Sequence, residues 1–384
     1  MKNWKRLMAL VLALVCVIMP IAPASAAEDT APIAPNPTAG VQVVDENENA
    51  VTTLKPFVYT TGSDTDLAKV NKFGIILPAG MTEAVIPVEM SIKGILAAVY
   101  QSDVSASVDF YSDAACTQTI NYSTYDGFTD VVEKGTYYLK VSTYSTTGCI
   151  VAVGLGAFSS GNKTIKSKTW YISAFADSST AQYYKLSVSK QSKIVVETQG
   201  EYSRYITICD KNKKAVTEEC YTSTDGKMTF VVPKGTYYVK VKSTDDLLRL
   251  RATVTALSDK TGTSKSKAKA LKVNGSKVTG LVTTSDKTSK ADWVKFTNPK
   301  NQKINVYITG DITSGTIEME FFSSNGKSMG TQTVNSYRNN GYVNLYTIGS
   351  GYSGKTLAKG TYYIKITKDT KKTTGVYTIQ VKNK

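Results

Sequence analysis

The sequence predicts an all-β protein built from three tandem antiparallel β-sandwich domains. First, the segment Lys-Gly-Thr-Tyr-Tyr occurs three times, at 134–138, 234–238 and 359–363, and each copy leads into alternating apolar and polar residues. Second, Tyr, Thr, Val and Ile are abundant, and turn signals such as Asp-Gly and Asn-Gly recur at short intervals. Third, beyond the N-terminal 26 residues no segment has the apolar period of a helix.

The first 26 residues have the features of a secretory signal peptide. A positively charged start precedes an apolar run over 7–18, and Ala-Ser-Ala at 24–26 fits a signal-peptidase site. Residues 27–51, with three prolines and five acidic residues, are predicted to be a flexible acidic spacer. No later run of about 18 apolar residues occurs, so no integral membrane association is expected after signal cleavage. We therefore expect a secreted protein that is either free outside the cell or associated with the cell wall.

The repeats are placed at 52–158, 159–258 and 259–384, and each is long enough to bury its own core. In every repeat, alternating strands precede the Lys-Gly-Thr-Tyr-Tyr strand: 84–88, 95–100 and 108–111; 182–186, 194–196 and 206–209; 292–296, 304–308 and 317–322. Regular turns between short strands are typical of an antiparallel sandwich. The two later tryptophans, Trp170 and Trp293, are expected in the cores.

The third repeat has a series of recognisable motifs: Asp-Trp-x-x-Phe at 292–296, Phe-Phe-Ser-Ser-Asn-Gly at 321–326, Lys-Gly-Thr-Tyr-Tyr-Ile-Lys-Ile at 359–366 and Gly-Val-Tyr-Thr-Ile at 375–379. This series resembles the bacterial pre-peptidase C-terminal domain, most clearly over 264–384, less over 160–258 and least over 52–158. The resemblance implies a jelly-roll-like β-sandwich in an exported protein. Its motifs are mainly structural, so it implies a fold more than a function.

Side chains that point outward from the repeated strand are candidates for ligand binding. If the valines of the repeated strand in the second repeat face the core, Tyr237 faces it too, and Tyr238 and Lys240 face outward. By the same argument, the outward side chains are Tyr138 and Lys140 in the first repeat and Tyr363 and Lys365 in the third. A tyrosine ring has a flat apolar face and a polar tip, which suits a sugar or an anionic polymer. The alternative is that each ring only covers a neighbouring strand.

A segment over 335–355 is the second candidate for recognition. It lengthens the third repeat, is rich in Tyr, Asn and Gly, and is predicted to form an extra hairpin or an elaborated loop. Loops on a rigid sandwich commonly bind ligands. The candidate binding residues here are Tyr337, Arg338, Tyr342, Tyr346 and Tyr352.

The basic excess indicates the kind of partner. The formal net charge is +15, and residues 259–384 contain 21 basic against 7 acidic residues. A positive field attracts anionic surfaces, which outside a cell are acidic glycans or other anionic surface polymers rather than nucleic acid. The alternatives are a lysine-rich surface that only maintains solubility, and a structural module that binds an extracellular protein as a spacer, an adhesin segment or the partner of an exported peptidase.

Catalysis and metal binding have weak support in the sequence. The chain contains no histidine, which excludes Ser-His-Asp and Cys-His catalysis and His-ligated metals, so we expect a non-enzyme. No cofactor is expected other than calcium. Asp286 and Asp292 are candidate calcium ligands, because carboxylates in loops suit this ion. The alternative is that they are only solvated acids in turns. The four cysteines left after signal cleavage predict two disulfides, and pairing within each repeat is the simplest of three arrangements: Cys116 with Cys149, and Cys209 with Cys220.

Overall fold

A computed structural model describes residues 40–121, 127–200, 202–223, 225–335, 340–344 and 356–383, with backbone alone for 340–344. The predicted signal peptide and the first part of the spacer lie outside these residues. The protein is nearly all β, with 59% strand and 1% helix, which confirms the predicted class. In the described part, no helix is long and apolar enough to cross a membrane.

The strands fall into three consecutive sets, which we call repeats 1, 2 and 3. Repeat 1 contains β1 Gln42–Asp45, β2 Phe57–Tyr59, α1 Asp64–Leu67, β3 Asn71–Leu77, β4 Glu83–Met90, β5 Gly94–Ser102, β6 Ala106–Tyr111, β7 Gly135–Thr143 and β8 Cys149–Ser159. Repeat 2 contains β9 Lys163–Thr164, β10 Trp170–Ala174, β11 Gln182–Val188, β12 Ser192–Gln199, β13 Ser203–Cys209, β14 Cys220–Ser223, β15 Gly226–Val232, β16 Gly235–Ser243 and β17 Leu247–Ala256. Repeat 3 contains β18 Lys269–Leu271, β19 Val278–Val282, β20 Asp292–Asn298, β21 Ile304–Ser314, β22 Ile317–Phe322, β23 Ser328–Val334, β24 Asn340–Asn344, β25 Gly360–Lys368 and β26 Thr374–Asn383.

Each repeat has two sheets, and the pairing order recurs. The strand that follows Lys-Gly is central in one sheet, in the orders β4–β7–β6, β11–β16–β13 and β20–β25–β22. We call this the Tyr sheet of the repeat. The second sheet has the orders β3–β8–β5, β10–β17–β12 and β19–β26–β21. Many successive strands cross between the two sheets, as β15, β16 and β17 do, and in the described part no sheet contains strands of two repeats.

The two sheets of each repeat enclose a separate apolar core. In repeat 2, Val239 and Val241 of β16 belong to one core cluster with Ile194 and Val196 of β12, and all four are fully buried. Their alternation with half-exposed residues in β16 is the period of two that the sequence shows. Burying a Val or Ile side chain stabilises by about 1.5–3 kcal/mol, so these positions anchor the sandwich.

The end of the predicted spacer is part of repeat 1, so the spacer prediction is wrong from Gln42 onward. Strand β1 pairs with β3, with Gln42 opposite Ile76, and Val43 is buried in the first core. Three of the five acidic residues that suggested a spacer lie at the end of β1 and in the turn after it, where Asp45 accepts the N–H groups of Asn47 and Asn49. Two apolar positions were too few to reveal the strand in the sequence.

Apolar contacts join repeats 1 and 2. Buried side chains from both form one further cluster: Tyr59, Leu67, Ile95, Ala97, Phe128 and Phe158 with Ile172, Ala174 and Leu247. At its border Asp64 forms an ion pair with Arg249 at 2.9 Å, and the Gly62 N–H donates to the Trp170 carbonyl at 2.8 Å. Trp170 lies partly exposed with Arg249 and Arg251 over its ring, so its predicted place in a core is wrong.

Threonine hydroxyls join repeats 2 and 3. Strand β15 is the outer strand of its sheet, and the N–H groups of Thr229 and Val231 donate to the hydroxyls of Thr313 and Thr374, both at 2.8 Å. The Thr374 hydroxyl donates back to the Val231 carbonyl at 2.6 Å. An unpaired strand edge invites pairing with another chain. Repeat 3 therefore covers one edge of this sheet, while Gly62 of repeat 1 meets its other outer strand, β10.

The predicted disulfides are not formed, because Cys116, Cys149, Cys209 and Cys220 are all free thiols. Strand register explains the second pair: Cys220 lies opposite Ile206, so Cys209 is three residues further along β13, about 10 Å away. A disulfide needs Cα atoms closer than about 7 Å. In the first pair, Cys149 is buried in the core at the start of β8, whereas Cys116 lies in the turn after β6.

Candidate functional site

The first tyrosine of each Lys-Gly-Thr-Tyr-Tyr segment serves the fold. The hydroxyls of Tyr137, Tyr237 and Tyr362 donate to the backbone carbonyl four residues earlier, at 2.9, 3.1 and 2.9 Å. Tyr237 and Tyr362 are buried, and Tyr137 packs against the first core. A Cβ at Gly235 would lie only 3.2 Å from the Tyr237 ring, so this glycine lets the ring fold back over the chain. The predicted inward orientation is confirmed.

The second tyrosine and the lysine two residues later lie on the outer face of the Tyr sheet, as predicted: Tyr138 with Lys140, Tyr238 with Lys240, and Tyr363 with Lys365. All six side chains are half-buried. The three outer faces nevertheless differ in what surrounds these side chains.

In repeats 2 and 3, a lysine from elsewhere in the chain lies over the second tyrosine. The Lys213 ammonium is 5.7 Å from the ring centre of Tyr238 and 4.7 Å from that of Tyr183. The Lys265 ammonium is 5.1 Å from the ring centre of Tyr363. Such cation–π contacts stabilise by about 0.5–1 kcal/mol at exposed sites. They also place the protein's own ammonium groups against the rings that the sequence nominated for ligand stacking.

The lysine on the repeated strand is paired with an acid in two repeats. Lys140 contacts Glu83 at 2.9 Å, and Lys365 contacts Glu320 at 3.8 Å. Lys240 of repeat 2, and Lys185 on the neighbouring strand β11, form no ion pair with any residue that the structure describes. An anion that approaches repeat 2 therefore meets ammonium groups that no described acid neutralises.

Tyrosine and lysine alternate over the Tyr sheet of repeat 2. Strand register aligns Lys185 with Tyr238 in one row across the sheet, and Tyr183 with Lys240 in the next. A third row runs from Lys242 to Tyr205 on β13 and Tyr221 on β14. Neighbouring strands are about 4.8 Å apart, and residues i and i+2 on one strand about 7 Å apart. We call this surface the Tyr–Lys face; it spans several sugar units.

Tyr205 and Tyr221 are functional candidates that the sequence reasoning missed. They are 41% and 57% exposed, and their ring centres are 5.5 Å apart with the planes tilted by 57°. The Tyr221 hydroxyl shares a hydrogen bond with the Ser203 hydroxyl at 3.1 Å. The sequence did contain the information needed to find Tyr205. Ile206 and Ile208 are alternate core residues of β13, so Tyr205 points outward.

In repeat 3, Trp293 and Asp292 point to opposite sides of the Tyr sheet, and the acid, not the tryptophan, faces the core. Trp293 is on the outer face, stacked on Phe322 with ring centres 5.7 Å apart, so its predicted place in the core is wrong. Asp292 instead points inward and accepts the Tyr377 hydroxyl at 2.9 Å. Burial, and secondarily the charge of Asp259, raises the pKa of Asp292 to about 7.

The proposed calcium ligands surround a lysine. The Lys290 ammonium is 3.1 Å from Asp286 and 3.7 Å from Asp292, and Asp286 also accepts the Thr283 N–H at 2.7 Å. The lysine thus supplies the positive charge that these carboxylates face. In the described part, no group of three or more acidic or cysteine side chains is placed to hold a metal ion.

The predicted recognition segment over 335–355 lies largely outside the described residues, including Tyr337, Arg338, Tyr346 and Tyr352. The backbone of Tyr342 belongs to β24, which pairs with β21 as β15 pairs with β12. Part of this segment is therefore the regular outer strand of its sheet.

No family model matches the chain, and no curated protein matches it. Among solved structures it is similar to tripeptidyl peptidase 2 at 9% identity and a TM-score of 0.22, over 88% of this chain and 33% of that one. It thus spans about a third of the peptidase's length. It is also similar to the PBSX exported protein XepA at 10% identity and a TM-score of 0.18, over 56% of this chain and 88% of that one. Similarities of this size carry no argument about function, and the resemblance to the pre-peptidase C-terminal domain stays a prediction.

Proposed function

We propose that this chain is an exported, non-catalytic protein that binds an anionic polymer or glycan outside the cell or at its surface. The observation that carries the proposal is the Tyr–Lys face of repeat 2. There, Lys185 and Lys240 lie between tyrosine rings and form no ion pair with a described acid. Ammonium groups attract the anionic groups of such a polymer, and the rings offer apolar faces to its other parts.

The surrounding charge supports this assignment. Repeats 2 and 3 both have more basic than acidic residues over 159–258 and 259–384, whereas 52–158 has fewer. A field of one sign over two adjacent repeats raises the rate at which an oppositely charged polymer is captured. Because exposed charges are screened beyond about 10 Å at 0.1 M salt, such binding weakens as salt rises.

The assignment as an exported non-enzyme rests on the sequence. The chain has no histidine, and its first 26 residues have the pattern of a signal peptide.

Binding of the mature chain to immobilised polygalacturonate and polyphosphate tests the proposal. We expect retention at about 50 mM salt and its loss at about 500 mM. Lys185→Gln with Lys240→Gln should weaken both interactions. The control, Lys168→Gln with Lys227→Gln, removes the same charge from exposed positions beside or on the second sheet of repeat 2, where Lys168 bonds to β17 and Lys227 belongs to β15, and should have little effect. Absence of salt-sensitive binding would refute the proposal, and equal losses in both variants would refute the role of this face.

A structural or protein-binding module is the second candidate, favoured by the junctions between repeats. An apolar cluster fixes repeat 1 against repeat 2, and Thr313 and Thr374 fix repeat 3 against β15. Such a unit suits a stiff spacer or an adhesin segment. A defined extracellular protein that co-purifies at high salt, with no polyanion binding, would favour this function.

A further inference from the structure

Among the aromatic side chains of the Tyr–Lys face, Tyr205 and Tyr221 are the most exposed. Tyr183 and Tyr238 have the Lys213 ammonium over their rings and are half-buried. The Tyr205–Tyr221 pair lies at the β13–β14 side of the sheet, and β14 is its outer strand. A ligand can therefore reach these two rings without displacing a lysine.

The pair is held in place before any ligand arrives. Tyr205 and Tyr221 are direct cross-strand partners, and Ser203 fixes the Tyr221 hydroxyl. Rings that are already ordered lose little conformational entropy on binding. Their planes meet at 57°, so they do not form the flat shelf that the surface of a crystalline polysaccharide requires. Tilted rings suit a single, twisted chain instead.

The charges beside the pair indicate which glycan chain fits. Lys242, in the same row as the pair, is engaged by Glu219 at 3.5 Å. Lys240, one row away on β16, forms no ion pair with a described residue. The two rows are about 7 Å apart. An acidic group one sugar away from a stacked ring can therefore reach this ammonium.

We propose that Tyr205 and Tyr221 form the sugar-stacking subsite of an acidic glycan site, in which a pyranose ring packs on the pair and a neighbouring carboxylate binds Lys240. This inference rests on the proposed function and refines it. It moves the stacking subsite from the second tyrosines of the repeated segment to a pair of rings that lies outside that segment.

The test compares two polyanions, only one of which contains sugar rings. The Tyr205→Ala, Tyr221→Ala double variant of the mature chain should bind immobilised polygalacturonate about tenfold more weakly and polyphosphate with unchanged affinity. A matched control is Tyr144→Ala with Tyr202→Ala, because these tyrosines are 93% and 53% exposed and lie outside the pair. It should bind both polymers as the unchanged chain does. Tyr221→Phe keeps the ring and should retain most of the affinity for polygalacturonate.

The outcomes separate the two proposals. If both polymers bind and the double variant matches the unchanged chain on both, the stacking subsite is refuted while the proposed function stands. Equal losses on both polymers would also refute the subsite, because stacking is specific to sugar rings. If neither polymer binds the unchanged chain, the proposed function is refuted and the inference with it.

Discussion

Replacing Thr374 by valine should weaken the coupling between repeats 2 and 3. The Thr374 hydroxyl accepts the Val231 N–H at 2.8 Å and donates to the Val231 carbonyl at 2.6 Å, and both residues are fully buried. Valine has nearly the same shape but no hydroxyl, so the Val231 amide loses its partner in a place that water does not reach. A buried polar group left unsatisfied costs about 1–3 kcal/mol. Because the bond crosses the junction, this loss falls on the coupling between the repeats.

Two measurements check this loss. Urea unfolding followed by tryptophan fluorescence reports repeat 2 through Trp170 and repeat 3 through Trp293, and the two transitions should separate in the Thr374→Val variant. Amide hydrogen exchange at Val231 should also become faster. The control is Thr378→Val on the same strand, half-exposed and away from the junction. If both valine variants lose equal stability and Val231 exchange is unchanged, the hydroxyl does not couple the repeats.

Three further predictions concern acidity, the repeated tyrosines and the thiols. Burial raises the pKa of Asp292 to about 7, above its ordinary 3.8, so its contribution to stability is greatest below about pH 4 and falls as pH rises through 7. Urea midpoints of the unchanged chain should fall between pH 5 and about 8, and this fall should be smaller in Asp292→Asn. Tyr362→Phe should cost about 0.5–1.5 kcal/mol by urea unfolding, because it removes the bond to a backbone carbonyl, whereas Tyr363→Phe should cost less. With a thiol reagent, Cys116 should react first, and Cys220 only when the junction opens, because it is buried beside repeat 3.

Each of these predictions has a result that would contradict it. A pH dependence that persists unchanged in Asp292→Asn would assign the effect to another group. Equal losses in the two phenylalanine variants would show that the inner hydroxyl has no special role. A fast thiol signal that remains in Cys116→Ser would mean that a buried cysteine is more accessible than the structure shows.

Alternation in the sequence was enough to predict the repeated strand and the face of each tyrosine in it. The period of two put Tyr237 inside and Tyr238 outside, and the structure has both so. The alternation could not predict which residues lie opposite each other on neighbouring strands, because the pattern within one strand does not determine its register with the next. The predicted Cys209–Cys220 bridge failed for that reason, since Cys220 faces Ile206.

Contacts between repeats were likewise absent from the pattern. In the sequence, Thr374 does not differ from any other threonine near the start of a strand. Its hydroxyl bonds to Val231 only because repeat 3 packs against β15. Asp292 shows a related limit. Next to Trp293 it looked like a surface acid, yet it is buried against Tyr377 while the tryptophan faces outward. A short alternating segment shows which side chains share a face of the strand, but the rest of the fold determines which of the two faces is buried in the core.

The lysines over the second tyrosines come from different places in their repeats. Lys213 belongs to the turn that follows β13, whereas Lys265 precedes β18, and each ammonium lies over the same ring of its Lys-Gly-Thr-Tyr-Tyr segment. An alignment of the repeats would treat the two lysines as unrelated. A structural superposition of the repeats would therefore detect the ammonium over the second tyrosine as a shared feature, whereas a comparison of their sequences misses it.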